Sequence, residues 1–378
     1  MSTTPPENAT ATAAATTTTT TTTTQPPKAS MKYRGSLLLL SCISLTIGLT
    51  GAPLLLRLYY IHGGKRRWLI TAVQTAGFPL LLIPITSNIF ISRSRRPAKL
   101  SNFLIDRKLA MSGALMGLFI GLDNFLFSLG LSYLPLSTST IIMATQLVFI
   151  AVFARLMVKQ RFTAYSVNSV ALMVMGCVLL GVRANGDRPP GVSNGQYLLG
   201  FFMTLVCAAL IGALWPCMER CFANTATTSK PLDFCGLLQF QFCLTFSATV
   251  FSVAGMLANK DFQVLREEAK EFGLGSSAYC LTIIGAAVLF QFSLGGGAGT
   301  TFVASAFFSG IVTSVLVPIT DIVALILFGE AFTAEKGMAL ALCSWGLLSY
   351  LYGEYRSRTS KKEVDKSVEP MILVSDSV

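Results

Sequence analysis

The chain has 378 residues, of which 52% are hydrophobic and 12% charged, and its mean hydropathy is +0.62. Typical soluble domains are about 25% charged, so the composition excludes an ordinary water-soluble fold. The net charge of +11 does not mark a nucleic-acid binder, because the basic residues sit in short loops between apolar runs, where they report topology and attraction to anionic lipid.

Residues 1–32 form a Thr-rich tail, unbroken Thr from Thr16 to Thr24. A segment of that composition cannot build a core and is expected to be disordered. It lacks the basic and apolar regions of a secretory signal, so the first membrane helix is expected to direct insertion. About 20 apolar residues make one bilayer crossing, and the chain from 35 to 353 divides into ten such segments. They are expected at 35–56, 68–92, 109–133, 136–158, 163–182, 197–218, 234–258, 277–295, 300–328 and 336–353. Pro79 and Pro84 predict kinks in the second, and Leu134-Pro135 parts the third from the fourth. The run Gly295-Gly296-Gly297-Ala298-Gly299 reads as a tight turn between the eighth and ninth. No strand precedes it, so it does not read as a phosphate-cradling loop. Residues 272–320 contain no Asp, Glu, Lys, Arg or His, which no water-facing helix tolerates. The charged tail from 354 to 378 is expected to fray. The fold class is thus all-α, a polytopic membrane protein.

With the N-terminus inside, nineteen of the 29 Lys and Arg fall on the cytoplasmic side, which predicts both termini in the cytoplasm. The basic turn His62-Gly63-Gly64-Lys65-Arg66-Arg67 runs against that bias. A shift of 170 residues lays Phe162-Thr163-Ala164 on Phe332-Thr333-Ala334 and Gly176 on Gly346. Two copies of a five-helix block in one chain must be inverted, and inverted repeats signal alternating access with a binding site near the midplane. The repeats are expected at 33–183 and 197–353, joined by the loop 184–196.

Function must be read from the polar groups kept in lipid, where a charge costs about 2.5–3.5 kcal/mol on insertion scales. Asp123, with Asn124 beside it, falls within the third segment, and Asp321 within the ninth. Gln74, Gln146, Gln239, Gln241 and Gln291 lie in neighbouring segments, and Ser137, Thr138, Ser139 and Thr140 open the fourth. Amides supply a donor and an acceptor together, which suits the edge of a nitrogen-rich ring, and Trp215 beside Pro216 can stack on such a ring. Removal from water disfavours a charged carboxylate, which suits a group that must take up and release a proton. Taken singly, each Gln reads as hydrogen-bonding glue between helices before it reads as a ligand; a carboxylate is an expensive glue. No Lys or Arg stands in mid-helix, which disfavours phosphorylated substrates; Arg57 and Arg155 come near helix ends, where they can snorkel. Cys217 and Cys221 read as a packing pair, the nine cysteines lack metal-ligand spacing, and His62 has no second imidazole beside it. Neither a metal, a cofactor nor an enzyme is expected.

The chain resembles the plant purine permease family of the drug/metabolite transporter superfamily over about residues 33–356. The resemblance rests on Arg57-Leu58-Tyr59-Tyr60-Ile61-His62-Gly63-Gly64-Lys65-Arg66-Arg67-Trp68, Gly121-Leu122-Asp123-Asn124 and Tyr133-Leu134-Pro135-Leu136-Ser137-Thr138-Ser139. It continues in Gly195-Gln196-Tyr197-Leu198-Leu199-Gly200-Phe201-Phe202-Met203-Thr204-Leu205, Asn259-Lys260-Asp261-Phe262 and Ala334-Glu335-Lys336-Gly337. It implies ten helices in two inverted halves and proton-driven uptake of adenine, cytokinins, purine nucleosides or alkaloids, with the proton gradient as energy source. On this reading Asp123, Asn124, Gln146, Trp215, Gln74 and Gln291 are the candidate substrate-binding residues, and Asp123 and Asp321 the proton carriers. The expected partners are a purine-like small molecule and the lipid bilayer, with the plasma membrane as location and the oligomeric state open. The rival readings are an organellar exporter or exchanger of another metabolite and a receptor that binds without transporting.

Overall fold

The computed structural model describes residues 31–95, 105–158, 164–182, 191–226, 233–329 and 333–375. Apart from Met31 and Lys32, the Thr-rich tail lies outside them. Among the described residues all regular structure is helical, as lipid requires: with no water to satisfy backbone groups, each spanning segment must satisfy its own. Among the described residues six stretches are long and apolar enough to cross a membrane: Gly35–Ile61, Arg67–Phe90, Arg107–Tyr133, Asn194–Asn224, Phe234–Ala258 and Ser276–Val303. Large apolar side chains point outward along the bundle, with Leu39 63%, Phe90 77%, Leu281 74% and Ile326 76% exposed. In water that surface would collapse; against acyl chains it is the favourable one. The chain is a polytopic membrane protein.

The first helix, α1, runs Met31–Ile61. The next apolar segment is discontinuous: α2 (Arg67–Val73), a turn through Gln74–Gly77, a 3-10 turn at Phe78–Leu81 and α3 (Leu82–Arg95). Pro79 sits at the start of the 3-10 turn, where its missing N–H costs nothing. The break therefore comes before the kink expected at Pro79. Helix α4 (Arg107–Tyr133) stops where expected, because the residue before a proline is driven out of the helical region and Leu134 is extended at φ −110 and ψ 150. Then follow α5 (Leu136–Ala144), α6 (Gln146–Val158), α7 (Ala164–Val182), α8 (Asn194–Ala226) and α9 (Phe234–Ala258). A short amphipathic helix with no counterpart among the expected segments, α10 (Asp261–Glu271), leads to α11 (Ser276–Val303), α12 (Ala306–Phe328) and α13 (Ala334–Ser375).

Two expectations are corrected. The glycine-rich run is no turn: α11 passes through it and ends at Val303, and the break falls at Ala304 and Ser305. Glycine weakens a helix in water, but in a bilayer the unpaired backbone of a turn costs more, and small residues let helices pack closely. The C-terminal tail is likewise helical to Ser375, its Lys, Arg and Glu being straight-chain helix formers.

Close packing explains the glycines. A Cβ at Gly48 of α1 would lie 2.3 Å from the backbone nitrogen of Ser293 in α11, and one at Gly296 of α11 would lie 2.4 Å from that of Leu45 in α1. Gly176 of α7 faces Ala339 and Cys343 of α13, while Gly346 of α13 faces Ser169, Leu172 and Met173 of α7. At one end of the bundle the basic turn after α1 closes onto α10. Arg66 lies 3.5 Å from Asp261 and 3.4 Å from Glu268. The Tyr59 hydroxyl donates to Glu268, the Lys65 backbone N–H donates to the same carboxylate at 3.1 Å, and Gly273 N–H donates to His62 O at 3.1 Å. Arg57 does not snorkel outward: its Nη1 donates to Leu134 O at 3.2 Å, at the α4–α5 break.

Candidate functional site

Where these helices meet, each presents residues spaced three or four apart, the repeat that puts side chains on one helix face. Helix α8 contributes Cys207, Ile211 and Trp215; α5 and the start of α6 contribute Thr140, Met143 and Gln146. From α4 come Asp123, Asn124 and Phe127; from α11, Phe290, Ser293 and Leu294. Leu45, Leu49 and Pro53 of α1, Thr313, Leu316 and Thr320 of α12, and Gln74 at the break after α2 complete the wall. They enclose a cavity of about 150 Å³. One buried water needs about 10–15 Å³ on that measure, so the space suits one flat bicyclic ring.

The wall is apolar apart from a patch of convergent hydrogen-bonding groups, the pattern of a small-molecule site. Asp123 and Asn124 lie where α4 packs closely on α9: a Cβ at Gly117, two turns before Asn124, would lie 2.2 Å from Leu244 O of that helix. The Cys207 thiol is the hydrogen-bond partner of the Asp123 carboxylate. Gln74 Nε2 donates to Asn124 O at 3.0 Å, tying the broken second segment to α4. Asp123 Oδ1 and Asn124 Nδ2 are buried without a protein partner. A buried polar atom left so costs about 1–3 kcal/mol, a cost that a hydrogen-bonding ligand removes. An acceptor and a donor on adjacent residues match a ring edge that offers both.

The structure therefore brings Gln74, Asp123, Asn124, Gln146 and Trp215 to one cavity. Gln291 does not line it. That side chain is 4% exposed, neither of its amide atoms has a partner, and its Cβ lies 2.8 Å from where a Cβ at Gly77 would be. It thus stands beside the break after α2, one layer from the cavity, because Phe290 and Ser293 occupy the inward face of α11. Asp321 is in α12 next to the lining residue Thr320; its side chain lies outside the described residues. Glu219 accepts from Ala306 N–H at 3.0 Å and caps α12. Among the described residues no group of three or more His, Cys, Asp and Glu could hold a metal. Sequence reasoning read Cys207 as a packing residue and did not single out Phe127 and Phe290; the step of four from Trp215 through Ile211 to Cys207 was the available signal.

Residues 36–360 match the family model described as purine nucleobase transmembrane transport. The chain is 38% identical over 334 residues to purine permease 3 of Arabidopsis thaliana, covering 88% of this chain and 94% of that protein. It is 37% identical to purine permease 2 of the same plant, covering 90% and 98%, and 34% identical to probable purine permease 11, covering 81% and 79%.

Proposed function

The chain belongs to the purine nucleobase transmembrane transport family and is a purine transporter rather than an enzyme; from that premise we propose that it is a proton-coupled symporter of purine bases and their derivatives. The observation that carries the reading is the meeting of Asp123, Asn124, Gln74, Gln146 and Trp215 around one ring-sized cavity. Asn124 and Gln146 read the ring edge and Trp215 stacks on its face. Asp123 takes the coupling proton or meets a ring nitrogen, and Asp321 is the second proton candidate. A proton and a substrate are coupled when both favour the same carrier state.

Alternating access by ten crossings in two inverted repeats is part of the proposal. Reciprocal packing supports it. The two glycines matched by the 170-residue shift face each other's helices, and residues 169 and 173 against Gly346 are answered by 339 and 343 against Gly176. A contact that maps onto itself when its two sides are exchanged is what a two-fold axis produces, and the antiparallel pairing puts that axis across the helices. Exchange of the halves also matches α1 on α11 with α8 on α4, and α6 on α8 with α12 on α1. The charge bias supports both termini in the cytoplasm, and the plasma membrane is the proposed location. Uptake of labelled adenine by cells expressing the protein tests the proposal: accumulation above vector control, abolished by a protonophore, is expected. Accumulation indifferent to the protonophore overturns proton coupling, and none at all overturns uptake.

A further inference from the structure

The indole of Trp215 has open space on both sides. One side is the cavity that holds Asp123 and Asn124; the other is an apolar annexe of about 20 Å³ between Met116 and Ile120 of α4, Leu214 and Met218 of α8, and Leu244 of α9. Trp215, Ile211 and Leu294 line both. The far edge of the ring rests on Gly297. A Cβ there would lie 2.3 Å from Cη2, 3.1 Å from Cζ2 and 3.2 Å from Cζ3. Those atoms are the end of a side chain, so the indole and not the backbone has to give way. The other glycines of the run differ: Gly296 meets the backbone of Leu45, Gly299 meets Ser41, and Gly295 has nothing within 4 Å.

We infer that Gly297 is a positioning residue that determines substrate size: lacking a side chain, it lets Trp215 lie back against α11 as a partition, and the partition limits the ring substituent that the cavity accepts. The inference rests on the cavity being the purine site. A methyl at 297 pushes the indole toward whichever space can receive it. The annexe holds about one or two waters and cannot take the ring, whereas the cavity can. The cavity then shrinks, and substituted rings lose more than bare ones.

The test compares adenine with adenines carrying N6-alkyl chains of increasing length, as competitors of labelled adenine uptake. In Gly297→Ala the half-inhibitory concentration of the longest-chain competitor accepted by the wild type is expected to rise about ten-fold or more relative to adenine, the scale of misfitting a methylene or two. Trp215→Phe joins annexe and cavity and moves the preference toward longer chains. The double variant Gly297→Ala/Trp215→Phe returns toward the wild-type ranking, and Gly295→Ala keeps it. Fluorescence of the purified full-length protein without substrate gives an independent readout: the difference from Trp215→Phe isolates the emission of Trp215, which Gly297→Ala shifts and Gly295→Ala does not. An unchanged ranking and unchanged emission overturn the inference. So does a uniform loss for all competitors that Trp215→Phe does not relieve, which is the mark of disturbed helix packing. If Gly297→Ala alone fails to reach the membrane, recovery in the double variant supports the inference and continued failure overturns it. Shifted emission in a protein whose wild type takes up no purine leaves Gly297 positioning Trp215 and overturns the cavity as the purine site.

Discussion

In the proposed mechanism Asp123 carries the coupling proton. It is 5% exposed, its protein partner is a thiol, and its Oδ1 is buried without a hydrogen-bond partner. Asp123→Asn keeps the shape and the hydrogen-bonding edge but holds no exchangeable proton. Concentrative uptake is expected to fall at least about ten-fold, equivalent to 1.4 kcal/mol, while competition by excess adenine is retained. An Asn variant that concentrates substrate normally removes Asp123 from coupling. Cys207→Ala removes a weak neutral donor worth about 0.5–1.5 kcal/mol, and half-saturation for adenine is expected to rise by no more than about ten-fold. Asp123 was legible in the sequence because a carboxylate amid apolar residues is costly in lipid. Cys207 was not, because a thiol in an apolar helix reads as packing until a partner stands opposite.

Helices in this protein are held by backbone proximity and, at one end, by a charge cluster. Gly48→Ala brings a methyl against the backbone of α11, where no rotamer change can yield, so the helices must separate. Overpacking of this kind costs about 1–3 kcal/mol or more, and a lowered Tm in detergent is expected, with Gly35→Ala as the neutral control because it meets nothing within 4 Å. Arg66 answers two carboxylates, of which Asp261 is 0% exposed and Glu268 9%. Arg66→Ala removes their shared counter-ion, although Glu268 keeps Tyr59 and Lys65 N–H as donors and Asp261 keeps Asn259, and is expected to lower the Tm; adding Asp261→Asn and Glu268→Gln should restore part of it. If the triple variant melts no higher than the single, the loss is not electrostatic. The basic turn ran against the charge bias that sets topology, and its partners were not legible, since some two hundred residues separate Arg66 from Glu268.

For the whole molecule, an even number of crossings puts both termini on one side. Single cysteines introduced near residues 34 and 357 of a cysteine-free background are expected to react with an impermeant reagent only after the membrane is opened. Opposite reactivity refutes the ten-crossing topology. Uptake should rise as the external medium is acidified, because a higher outside proton activity loads the outward-facing state, and should flatten when the gradient is collapsed. Hydropathy alone made this an all-helical membrane protein, the cost of a carboxylate in lipid made Asp123 stand out with Asn124 beside it, and Trp215 stood out as an aromatic beside Pro216 able to stack on a ring. Sequence could not say that the glycine run continues a helix, that Gln291 turns away from the cavity, or that Cys207 meets Asp123. Those follow from how closely whole helices approach and how each is rotated about its axis, and both are decided by contacts between segments far apart in the chain.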